Sequence, residues 1–137
     1  MYHSIDDRLE YVLHITRRIP VEDLSAAVLA VLMSLNFKCD LDSFDTLRKA
    51  IVIKTQNPGM QMSDVYEALR EICMSVPEAK TSEQAVRSCI SSAWKRKREC
   101  SWYYFFPEHL ATGKCPSNKE FVAELAYTME LWLSSRK

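Results

Sequence analysis

Apolar residues along this chain recur at three- and four-residue spacing and nowhere settle into the sustained alternation of a half-buried strand. Only two glycines occur, so turn punctuation is sparse as well. Both features predict a compact all-α domain of six or seven helices. Residues 5–18 carry Ile5, Leu9, Val12 and Leu13 on one face and stop before Pro20, a helix breaker. Residues 21–35 are apolar over a wide arc through Leu24, Val28, Val31, Leu32 and Leu35, and are the expected central buried helix. Asp40 or Asp42 can cap a helix reaching about residue 53 through Phe44, Leu47 and Ile51, with Gln56-Asn57-Pro58-Gly59 as the turn after it. Ser63 can cap a helix through Val65, Tyr66, Leu69 and Ile72. Ser117 with Glu120 forms a capping box that opens a last helix through Phe121, Leu125, Met129 and Trp132.

Residues 80–98, KTSEQAVRSCISSAWKRKR, carry the strongest functional signal. Thr81 with Gln84 forms another capping box, so a helix is expected to start there. Val86, Cys89, Ile90, Ala93 and Trp94 make one apolar stripe, while Ser82, Glu83, Arg87, Ser91 and Ser92 lie on other faces and Lys95, Arg96, Lys97 and Arg98 close the segment. A helix that packs on one side, offers base-pairing side chains early and ends in cations suits the recognition helix of a helix-turn-helix. The helix through Ser63 and Ile72 would be its first helix, with Ser75-Val76-Pro77 in the turn. The plainer alternative is that the terminal cations answer the helix dipole and a solvated face.

Charge distribution strengthens the nucleic-acid reading. Residues 80–119 hold eight Lys/Arg against three acids, a balance of +5, whereas residues 1–79 hold eight against twelve, a balance of −4. A net charge of zero therefore conceals a polarised chain, and polarity is what a polyanion senses. The length of 137 residues and 47% hydrophobic content fit one soluble domain with its own core. The longest nearly apolar run, residues 26–35, is too short to span a bilayer, and the acidic start MYHSIDDRLEYVL lacks the order of a secretion signal, so a cytoplasmic protein without membrane contact is expected. Five scattered cysteines without a C-x-x-C pair, and three dispersed histidines, signal neither a disulfide framework nor a metal site. Cys73 and Cys89 sit on apolar stripes and read as small core residues.

Several separated motifs resemble one family. Leu47-Arg48-Lys49-Ala50-Ile51 is similar to a Leu-Arg-Glu-Ala-Ile motif; Ser82-Glu83-Gln84-Ala85-Val86-Arg87, with Ile90 and Ala93-Trp94 after it, is similar to Val-Glu-Arg-Ala-Ile-Arg and a following Ala-Trp; Lys114-Cys115-Pro116-Ser117-Asn118-Lys119-Glu120-Phe121 with Ala123 is similar to Lys-Pro-Thr-Asn-Ser-Glu-Phe-Ile-Ala. In this order they resemble the C-terminal DNA-binding effector domain of the master response regulator of sporulation initiation in Firmicutes, over residues 28–131. The resemblance implies a helix-turn-helix effector domain over residues 21–137, preceded by a helical extension over residues 1–20. It further implies that Glu83, Gln84 and Arg87, with Ser82 beside them, are the base contacts on double-stranded DNA. The run Lys95, Arg96, Lys97 and Arg98 exceeds what the family shows after its tryptophan; on charge, these cations and Lys80 are expected to serve the phosphates, and a homodimer on DNA is open to the chain. Gln84 stands where the family pattern has arginine, and Ser82 where it has valine. The residues before the resembling region, about 25, are too few for the family's phosphoacceptor receiver domain.

Other readings are weaker. Trp102-Tyr103-Tyr104-Phe105-Phe106 could stack single-stranded bases but reads better as core at a helix connection, and Trp94 as support for the recognition helix. Trp132 is a candidate self-association contact, and the first helix a candidate partner surface whose better reading is core packing. His14, His109 and Cys100 stand without a nucleophile elbow, phosphate loop, HExxH or acid–base carboxylate pair, so no enzyme, cofactor or small-molecule substrate is expected. The rival to DNA binding is a protein-interaction module on the same fold that has lost DNA reading.

Overall fold

The computed structural model describes residues 5–38, 42–72 and 79–136. Among the described residues all regular structure is helical: α1 (Ile5–Ile15), α2 (Leu24–Ser34), α3 (Asp42–Gln56), α4 (Met62–Ile72), α5 (Ala79–Arg96), α6 (Glu99–Trp102), α7 (Pro107–Thr112) and α8 (Asn118–Arg136). Two more helices form than the lower count expected, because the aromatic segment is bracketed by short helices. α6 ends on Trp102; α7 starts at Pro107, whose missing N–H costs nothing in a first turn, and stops at Gly113, left-handed at φ 76°.

Local chemistry sets the boundaries. α2 begins at Leu24, later than periodicity alone implies, because the Asp23 carboxylate accepts from the Ala26 N–H at 3.1 Å. It ends in a Schellman motif, with Asn36 left-handed at φ 68°, Phe37 N–H donating to Leu32 O and Asn36 N–H to Met33 O. α4 starts one residue before Ser63: the Gln61 carbonyl accepts from the Asp64 and Val65 N–H groups, so Ser63 lies inside the first turn rather than capping it. Asp40 and Cys39 lie outside the described residues, as do Cys73 and the turn expected at Ser75-Val76-Pro77.

The α8 capping box forms as read. Ser117 Oγ accepts from the Glu120 N–H at 3.1 Å, and Glu120 Oε1 accepts from the Ser117 N–H at 2.9 Å. The Ser117 N–H, then its hydroxyl, hold the Glu120 carboxyl below its ordinary value. Since the folded value is depressed, the charge-dependent part of this cap is complete above the unfolded value, about 4.3, and fades as pH falls through the folded one. Ser117→Ala is expected to cost about 1 kcal/mol at neutral pH, read from urea unfolding. A loss too small to resolve there would remove the cap from the list of things holding α8.

The core centres on α3, which packs against α2, α4, α5 and α8, rather than on α2 as hydrophobicity suggested. α2 is apolar almost all round yet lies towards the side of the bundle, leaving Met33 exposed. The aromatic cluster packs inward as expected: Trp102, Phe105 and Phe106 are buried, with Trp102 against Phe37, Trp94, Phe106 and Phe121.

α1 is part of this core, contributing Val12 to the same cluster that α2 to α6 and α8 build. Its Arg8 is buried, donating from Nε to Tyr104 O at 2.7 Å, from Nη1 to Glu124 Oε1 at 2.6 Å and from Nη2 to Phe105 O at 3.2 Å. Trp132, a candidate self-association residue by sequence, is 0% exposed and donates to Thr16 Oγ1 at 2.8 Å. Its indole lies on the face of α8 that receives the α1–α2 connection, so it has no surface to give a second chain.

Candidate nucleic-acid interface

α5 presents two opposite faces. Val86, Cys89, Ile90 and Ala93 are buried, and burial pushes the Cys89 thiol up to about 11, the state of an inert core cysteine. Ser82, four residues before Val86, falls on this same stripe and is 1% exposed, its hydroxyl without a partner among the described residues. The reading of Ser82 as a base contact is therefore corrected: helical spacing puts it on the core side. The expected start of the helix at a Thr81 cap is corrected too, since α5 is already helical at Ala79.

Opposite the core, Gln84, Ser88 and Lys95 are exposed, and Glu83 is exposed at the edge of the buried stripe, beside the start of α8. Gln84, Ser88 and Lys95 stand at i, i+4 and i+11, one uncovered line along the helix. At about 1.5 Å per residue, Gln84 to Lys95 spans roughly 16 Å.

Arg87 is half-buried and occupied. Nε donates to Ser91 Oγ at 3.1 Å, Nη1 to Pro116 O at 3.0 Å and Nη2 to Cys115 Sγ at 3.0 Å. As folded, its guanidinium faces the segment leading into α8, and its expected place among the base contacts is not where the side chain lies.

The four terminal cations divide. Arg96 donates from Nη2 to Asn36 O at 3.1 Å, and Asn36 Nδ2 returns a bond to Arg96 O at 2.9 Å, locking the ends of α2 and α5 together. Lys97 folds onto Trp94, its Nζ 3.9 Å from the ring centroid and 3.1 Å from the Trp94 carbonyl oxygen. Lys95 and Arg98 are exposed and carry no ion pair among the described residues. Lys80 lies in α5, and its side chain is outside what is described.

Two residues absent from the sequence-derived set complete this face. Asn118, at the start of α8, donates from Nδ2 to the Glu83 carbonyl and to Tyr66 Oη, both at 3.0 Å, and burial raises the Tyr66 phenol above its usual value. Lys119 beside it is exposed and borders a groove of about 710 Å³ that Met62, Tyr66, Glu83, Gln84 and Arg87 also line. The capping box at Ser117 and Glu120 fixed the start of α8 in the sequence, but nothing local signalled that this turn docks beside Glu83.

α4 and α5 pack against each other, as two helices of the expected motif must, while the connection between Ile72 and Ala79 lies outside the described residues. No described helix is long and apolar enough to cross a membrane. No protein-family model, curated protein or solved structure matches the chain.

Proposed function

We propose that this chain binds double-stranded DNA in a sequence-dependent way, as a transcription-regulator module in which α4 and α5 act as a helix-turn-helix and α5 enters the major groove. The observation that carries this reading is the uncovered polar line of α5 opposite its buried stripe, in the most basic part of the chain. Glutamine can pair twice with adenine and glutamate can accept from a cytosine amino group. An exposed line roughly 16 Å long suits a groove about 12 Å wide, so that Lys95 and Arg98 reach flanking phosphates while Glu83 and Gln84 meet base edges. The resemblance to the sporulation effector domain supports the same reading, together with a cytoplasmic location and assembly as a homodimer on its site.

One observation favours a second reading. With Ser82 buried and Arg87 engaged by Ser91, Cys115 and Pro116, two of the four expected base contacts are withdrawn. A protein-interaction module that no longer reads DNA would tolerate that loss. Selection of sites from a random duplex pool separates the two: the DNA reading expects an enriched sequence bound with steep salt dependence. Gln84→Arg should then raise affinity and shift the selected base towards guanine at one position. Absence of duplex binding at low salt leaves the protein-interaction reading standing, and identical selected sites before and after the change would show that Gln84 does not face a base.

A further inference from the structure

We infer that Lys119 is a phosphate contact on the same DNA-binding face, and that Arg87 is a positioning residue that holds it there. This inference rests on the DNA reading above.

Lys119 projects from the first turn of α8 at the rim of the groove shared with Glu83 and Gln84, and it makes no hydrogen bond or ion pair among the described residues. Of the groove-lining side chains only Glu83 is acidic, against Arg87 and Lys119. Arg87 spends its donors within the chain, which leaves Lys119 as the cation this groove offers outward. An ammonium on a flexible stem suits a phosphate, a point-charge contact without directional demands.

The turn that carries Lys119 is fixed to α5 from both sides. Asn118 Nδ2 binds the Glu83 carbonyl and Tyr66 Oη, and Arg87 binds Pro116 O and Cys115 Sγ just before the Ser117 cap. Lys119 is thereby set against the helix that would read bases, at the opposite end from Lys95. Two cations at the two ends of the exposed line are what a helix lying between the phosphate walls of a groove requires.

The test uses the full chain and its selected duplex, with affinity measured across a salt series. Lys119→Gln is expected to make the plot of log affinity against log salt shallower by about 0.9, one phosphate contact, with the selected sequence and melting temperature unchanged. Arg87→Ala is expected to lower the melting temperature and to lose the same slope, and the double variant to lose no more slope than either alone. An unchanged slope for Lys119→Gln in a chain that binds duplex overturns the inference and leaves the DNA reading intact. A changed selected sequence for Lys119→Gln would make it a base contact instead, and one for Arg87→Ala would return that residue to base reading; either result overturns the roles assigned here. An Arg87→Ala slope equal to the parent's would reduce Arg87 to structural support alone. A parent chain that binds no duplex at low salt removes both the inference and the reading beneath it.

Discussion

Trp102→Ala is expected to lower the stability of the fold by about 3–5 kcal/mol, the usual cost of removing a large aromatic from a closed core. Trp102 is 0% exposed and sits where Phe37, Trp94, Phe106 and Phe121 converge, so the cavity would be lined by rigid rings with little freedom to collapse into it. Its Nε1 also donates to the Leu35 carbonyl at 2.9 Å, beside the left-handed Asn36 that closes α2. Truncation would leave that buried carbonyl unpaired, a penalty of about 1–3 kcal/mol that overlaps with the cavity cost. α6, only four residues long, has no stability apart from its packing. Against a total of about 5–15 kcal/mol for an ordinary domain, the change removes a large share. Chemical denaturation of the variant and of Trp102→Phe decides the matter. A loss below about 1 kcal/mol for the alanine variant would mean that the indole is not the keystone of the aromatic cluster.

Helical class, the α8 cap and the inward packing of the aromatics were legible because each depends on residues a few positions apart. Ser117 and Glu120 are three apart and form the predicted reciprocal pair. What the sequence did not disclose depends on partners far along the chain. Arg8 meets Glu124 across 116 positions, Trp132 meets Thr16 across 116, and Asn36 meets Arg96 across 60. Periodicity says which face of a helix is buried but not which neighbour buries it, so α2 looked central while α3 holds that place. The candidate site divides the same way. Ser82 could have been set aside from its spacing to Val86 alone, whereas the engagement of Arg87 by Cys115 and Pro116 required knowing that the start of α8 docks on α5. The four consecutive cations looked equivalent as a string and are not, since a helix end turns successive side chains towards different neighbours.

That inequality makes the basic run a two-part experiment. Lys95→Gln with Arg98→Gln removes the exposed pair, and duplex affinity is expected to fall on all sequences alike, with the salt slope shallower by about 1.8, two contacts at about 0.9 each. Sequence preference should survive, because Glu83 and Gln84 stay in place, and stability should change by less than about 0.5 kcal/mol, as for other surface substitutions. Arg96→Gln with Lys97→Gln should do the reverse. It breaks the Arg96 bond to Asn36 O that ties α5 to the end of α2, and it removes the Lys97 ammonium from the Trp94 ring. A loss of about 1–2 kcal/mol is expected, with little change of slope. The helix-dipole explanation of the run predicts otherwise: each cation acts on the last carbonyls of α5, so both pairs lower the melting temperature and neither alters the slope. Salt slope and melting temperature measured on both double variants distinguish these outcomes. If the slope change follows Arg96 and Lys97 instead of Lys95 and Arg98, the intramolecular contacts of the first pair yield on binding, and the phosphate-facing surface has to be redrawn around the end of α2.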